Sequence, residues 1–155
     1  MGLFSFIKNA GEKLFDKKDE AEKKDTTIFE NQRGNLIESY INKLDLNIQD
    51  LNVKVNEDRA TVTGKADTMD AKEKAIIAIG NVSGIAAVED RITVDKTQAE
   101  SRMYTVESGD TLSKISKEFY GDAQKYNVIF EANKPMLKDP DKIYPGQVLR
   151  IPAQS

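Results

Sequence analysis

Residues 104–152 read YTVESGDTLSKISKEFYGDAQKYNVIFEANKPMLKDPDKIYPGQVLRIP, and this stretch decides the architecture of the C-terminal third. Tyr104-Thr105-Val106 is a short aromatic and β-branched run that reads as a strand. Ser108-Gly109 turns the chain, Asp110 is the expected helix cap, and Leu112, Ile115 and Phe119 recur at helical spacing until Gly121 stops them. A second helix from about Ala123 carries Tyr126, Ile129 and Phe130 on its inner face. After a proline-containing loop, Tyr144-Pro145-Gly146-Gln147 forms a turn that delivers a strand from Val148 to Ile151. The unit is β, α, α, β.

Upstream, the polar stretch 96–103 reads as a linker, and residues 31–95 form a second unit. Leu36, Ile37, Tyr40, Ile41 and Leu44 make a helix face. The pattern then switches to alternation in Leu51, Val53, Val55 and in Ala60, Val62, Gly64, with a hairpin turn over Asn56 to Arg59. A helix opened by Thr68 or Asp70 carries Ala71, Ala75, Ile76, Ala78 and Ile79 as far as Gly80, and a third strand runs through Val88, Ile92 and Val94. The order is helix, strand, strand, helix, strand.

Residues 16–30 are charge-dense and read as a linker. Before them, residues 1–15 place Leu3, Ile7, Ala10 and Leu14, with Phe4, Gly11 and Phe15 one step round, on one stripe beside Lys8 and Lys13. This predicts an amphipathic helix docked on residues 31–95, with attachment to a membrane surface as the sharper alternative. Lys8 interrupts the apolar run too early for a secretory signal, and Phe6 stands where a myristoylation motif needs Ser or Thr. No segment is long enough to span a bilayer, so a cytoplasmic protein without an integral membrane segment is expected.

Composition excludes more than it suggests. Cys and His are both 0, which removes disulfides, thiolate and imidazole ligands, and Ser-His or Cys-His catalytic pairs. The expectation is a chain that is not an enzyme. Lys+Arg 23 against Asp+Glu 26 leaves a net charge of −3, spread evenly along the chain, and no nucleic-acid partner is expected. EF-hand spacing is absent around Asp67 to Glu73 and Asp139 to Asp141.

With its SGDTL turn, the EAN after the second helix and the YPGQVLRIP ending, the segment 104–152 resembles a LysM domain. Residues 53–94, VKVNEDRATVTGKADTMDAKEKAIIAIGNVSGIAAVEDRITV, look like a BON domain, whose hallmark is a strand ending in TG, a helix, and a Gly-centred loop into a final strand. Together with MGLFSFIKNAGEKLF, this order is similar to the family of small bacterial potassium-binding proteins that join one BON and one LysM domain. The fold class implied is α+β in two small domains: BON, a helix and a three-stranded sheet with packed helices, then LysM, βααβ, with the N-terminal helix in front.

The resemblance implies a cytoplasmic K⁺ sensor or buffer, with a role in the stress response, in which backbone carbonyls hold the ion and the BON and LysM domains close on each other. Carried over by position, the ligating carbonyls are those of Ile7 and Ala10, and of Gly80, Val82 and Ile85. Such ligands suit a large, weakly hydrated cation, and the last carbonyls of a helix have no intrahelical partner. Gly80 and Gly84 are expected to supply left-handed turns; the plain reading of Gly80 to Gly84 is a helix cap and loop. A monomer is expected. In LysM domains generally, a groove binds N-acetylglucosamine polymers, which points as the alternative function to Gly109, Asp110, Thr111, Leu112, Ile143, Tyr144 and Pro145 as a peptidoglycan surface. A membrane-associated adaptor is the third reading.

Overall fold

Alternating apolar positions and a helical repeat have to be buried on the same side of a sheet, and the computed structural model does this in residues 26–96. The described residues are 2–8, 26–96 and 101–153. Helix α1 spans Thr26–Lys43 and so begins inside the stretch expected as linker. Strands β2 (Ile48–Asn56) and β3 (Arg59–Thr68) form an antiparallel hairpin closed by Glu57 and Asp58, with Asn56 opposite Arg59. Val53, Val55, Ala60 and Val62 point inward while Lys54 and Asn56 stay outside, as period-two alternation requires.

Helix α2 (Met69–Gly80) then crosses the sheet and returns the chain as β4 (Ala87–Lys96), parallel to β3. Thr68 is the cap: its side chain accepts the Ala71 N–H at 3.1 Å. From Ala75 to Gly80 every residue of α2 is buried, so α2 is the central packing element. Ile37 and Ile41 from α1 and Ile76, Ile77 and Ile79 from α2 fill the first core with Val62 and Val88 of the sheet.

The N-terminus departs from expectation. Gly2–Ser5 is strand β1, paired antiparallel with β4, and the sheet has four strands in the order β1-β4-β3-β2. The helix expected over residues 1–15 therefore does not include its first turn; residues 9–15 lie outside the described residues. A short apolar run cannot distinguish the two periods, and the open edge of β4 offers unpaired backbone groups that a strand satisfies. The orientation confirms the period: Phe6 is buried, whereas Leu3 and Ile7, expected on one inner stripe, are 56% and 53% exposed.

The second unit begins with β5 (Arg102–Thr105), followed by α3 (Leu112–Tyr120), a 3-10 turn at Ala123–Lys125, α4 (Tyr126–Ala132) and β6 (Val148–Ile151). Strands β5 and β6 pair antiparallel. Leu112, Ile115, Ile129, Leu137, Leu149 and Ile151 form its own core. Gly121 ends α3 in the left-handed conformation, φ 73°. The cap is Thr111, which accepts the Lys114 N–H at 3.1 Å, and not Asp110.

Phe6 anchors the first strand to the core, and Phe6→Ala is expected to lower stability by about 3 kcal/mol, the low end for a buried Phe truncation. Urea unfolding, with the midpoint compared to the parent, measures this.

Candidate ion site at the end of helix α2

A helix end leaves its last carbonyls without intrahelical donors and carries the negative end of the helix dipole. At the end of α2 the chain makes a compact loop before β4. Asn81 N–H donates to Ile77 at 2.9 Å, Val82 N–H to Ile79 at 3.1 Å, and Ile85 N–H to Val82 at 3.1 Å. The Val82 carbonyl thus uses one lone pair on Ile85 and keeps another. Gly84 sits at φ 102°, a region open to glycine and strained for other residues.

Several distant segments hold this loop. The Gly84 N–H donates to the Lys8 carbonyl at 2.5 Å, and the Phe6 N–H donates to the Ala86 carbonyl at 2.9 Å. Ala86 and Ala87 donate to the Asp58 carbonyl in the β2–β3 turn. From α1, the buried Arg33 guanidinium donates to Gly84 at 3.2 Å and to Glu57 at 2.5 Å, tying helix, hairpin and loop together.

Four of the five residues carried over as ion ligands, Ile7, Gly80, Val82 and Ile85, therefore fall in two segments that hydrogen-bond or pack against each other. Ala10 lies outside the described residues. Gly80 corrects one expectation: it is the last residue of α2 and has no positive φ. Its glycine is required by close approach instead, because a Cβ there would stand 2.0 Å from Cζ of Phe6. The left-handed glycine of the loop is Gly84. Among the described residues no group of three or more His, Cys, Asp or Glu side chains could hold a metal ion.

The loop also faces the second unit. Asn81 is 5% exposed. Its side-chain amide donates to the Val148 carbonyl at 2.7 Å and to the Met136 sulfur at 3.4 Å, and its oxygen accepts the Val148 N–H at 2.8 Å. At the other end of α2, Glu73 accepts from Arg150 at 2.8 Å, both side chains being 5% exposed, and Asp70 accepts from the same guanidinium. Ser101 donates from its N–H and its hydroxyl to Glu73, each at 2.9 Å. Desolvating Glu73 is tolerated because its carboxylate is paired and hydrogen-bonded. Arg33, Asn81 and Arg150 were missed as site residues in the sequence; their partners lie 51, 67 and 77 positions away, where no local pattern reaches.

The residues of the alternative glycan surface are largely committed to the fold. Leu112 is buried in the second core, Ile143 packs against it, and Thr111 caps α3. Asp110 accepts the Tyr104 hydroxyl at 2.5 Å and the Glu107 N–H at 2.9 Å. The Tyr144 carbonyl accepts from Gln147, and Gly109 accepts from the Lys114 ammonium. Pro145 is exposed, and Gly109 faces open space at φ 87°.

The Tyr104 hydroxyl, followed by the Glu107 N–H, holds the Asp110 carboxyl below the usual aspartate range. Being depressed on folding, it stabilises the second unit fully above the unfolded aspartate value and loses that contribution as pH falls through the folded one. In Tyr104→Phe the Asp110 carboxyl should titrate at higher pH, which a carbon-detected NMR titration would read; an unchanged titration would contradict the assignment.

These two units define a class. A family model for the BON domain matches residues 30–96 and one for the LysM domain matches residues 104–152. The chain is 50% identical over 155 residues, 99% of this chain and 100% of the other, to a protein of Escherichia coli O6:H1 named potassium binding protein Kbp. It belongs to that family of BON–LysM proteins. Partial matches are an uncharacterized protein of Deinococcus radiodurans, 39% identical over 75 residues (46% of this chain, 29% of that one), and the uncharacterized protein YqbP of Bacillus subtilis, 35% identical over 65 residues (36% and 30%). Among the described residues no helix is long and apolar enough to cross a membrane.

Proposed function

We propose that this chain is a non-catalytic, cytoplasmic K⁺-binding protein, a sensor or buffer, that takes the ion on the backbone carbonyls of Ile7, Ala10, Gly80, Val82 and Ile85. The observation that carries the reading is the loop after α2, rich in helix-end carbonyls and hydrogen-bonded to residues 6–8. The full-length relative named for potassium binding supports the choice of ion.

Neutral carbonyl dipoles can replace the hydration shell of a large monovalent cation without holding it irreversibly. The end of α2 adds the negative pole of its dipole. Residues 6–8 bring a second strip of backbone, so the ion gains ligands from both sides only when the first segment is seated. Binding then favours the state in which the N-terminus, the loop and the LysM unit are together, because a ligand shifts a population by its preference for one state. The glycan reading is the weaker one, since Leu112, Thr111 and Asp110 already serve the fold.

The test is calorimetric titration of K⁺-free protein with KCl and NaCl, ionic strength being held with a bulky organic cation. Saturable K⁺ binding with little Na⁺ response is expected, and a flat K⁺ trace contradicts the reading. Gly84→Val should weaken K⁺ by about tenfold or more, since a non-glycine residue at positive φ costs on the order of 1–3 kcal/mol. Asp58→Asn, which leaves the Asp58 carbonyl in place, should leave the affinity close to that of the parent.

A further inference from the structure

In a two-stranded sheet each strand has an outer edge whose N–H and C=O groups need partners. Strand β6 pairs with β5 along one edge, and successive residues of a strand direct their backbone groups to opposite edges. Val148 and Arg150 face the outer edge, and each is met by one asparagine amide. Asn133, within the LysM unit, accepts the Arg150 N–H at 2.9 Å and donates to the Arg150 carbonyl at 3.0 Å. Asn81, from the BON unit, does the same for Val148 at 2.8 and 2.7 Å. Two side chains thus stand in for a missing strand, one from each unit.

The placement of Asn81 is what distinguishes it. The side-chain hydrogen bonds of this buried amide, to Val148 and Met136, go to the LysM unit, while its main chain lies between Gly80 and Val82, whose carbonyls are the proposed ion ligands. A bidentate amide tolerates little rotation, because both its donor and its acceptor must meet fixed backbone groups. Fixing the peptides on either side of Asn81 fixes the Cα–Cβ direction from which that amide must reach Val148.

We infer that Asn81 is the positioning residue through which ion binding and LysM docking are coupled: the ion orders the peptides flanking Asn81, and the ordered amide completes the edge of β6 at Val148. This rests on the K⁺ reading above. Coupling is reciprocal, so docking of β6 raises ion affinity by the factor by which the ion strengthens docking. Arg150 with Glu73 and Asp70 is a second anchor at the far end of α2 and holds the units near each other, while Asn81 carries the ion-sensitive part.

The unmodified protein supplies its own control, because the Val148 N–H is received by Asn81 and the Arg150 N–H by Asn133. Amide hydrogen exchange followed by NMR, in K⁺ and in the bulky organic cation at equal ionic strength, should show K⁺ slowing exchange at Val148 about tenfold more than at Arg150. Equal slowing at both amides, or none at Val148 while calorimetry shows K⁺ binding, overturns the coupling and leaves the K⁺ reading intact. Absence of calorimetric K⁺ binding in the parent overturns both.

In Asn81→Leu, of similar volume, K⁺ affinity should fall about tenfold, within the usual span of coupling energies. The gain in urea midpoint on adding K⁺ should shrink with it. A merely structural Asn81 would lower the midpoint equally with and without K⁺; that result, with unchanged K⁺ affinity, overturns the inference. If Asn81→Leu does not fold, the exchange comparison in the parent decides alone.

Discussion

The loop between α2 and β4 has to satisfy its backbone polar groups at a place where the helix ladder has ended and the sheet ladder has not begun. Almost every other element contributes to that task. Residues 6–8 extend the ladder of β1 along it, the β2–β3 turn receives the N–H groups of Ala86 and Ala87, α1 reaches it with Arg33, and the LysM unit meets Asn81. The carbonyls of Gly80, Val82 and Ile85, the proposed ligands, are thus held in a loop whose neighbours are fixed from several directions, the kind of arrangement that a cage of neutral dipoles requires.

Packing explains why this place is shared. Helix α2 is buried over its whole C-terminal half, and Gly80 admits the Phe6 ring where any Cβ would collide. Val148 of β6 lies in the same core as Ile76 and Val88. The two units are therefore continuous in apolar contact as well as in hydrogen bonding, and the buried Glu73–Arg150 pair adds an anchor whose loss on removing Arg150 would leave the buried Glu73 carboxylate without its cationic partner. Movement of the first segment or of β6 is felt at the loop without a long pathway.

Much of this was legible in the amino-acid sequence because it is local. Alternation over Val53 to Val62, the apolar face of α2 and the glycine-rich loop behind it place the sheet, the crossing helix and the candidate carbonyls. The βααβ pattern of 104–152 is equally local. What escaped is non-local or short. Five or six apolar residues at the N-terminus fit either period, and only the vacant edge of β4 decides for a strand. Asp110 and Thr111 are both good caps, and the Tyr104 hydroxyl withdraws Asp110 from that role. Asn81 and Arg150 look like surface residues until α2 is laid against β6.

Backbone carbonyls of the first segment and of the loop after α2 are the proposed K⁺ ligands. The most direct measurement is the set of backbone carbonyl ¹³C shifts of the full chain as KCl replaces a bulky organic cation, with NaCl as the comparison. The account predicts saturating changes concentrated at Ile7, Ala10, Gly80, Val82 and Ile85 in K⁺ and not in Na⁺. Changes that are identical in the two salts, or that spare these carbonyls while K⁺ binds elsewhere, would contradict it.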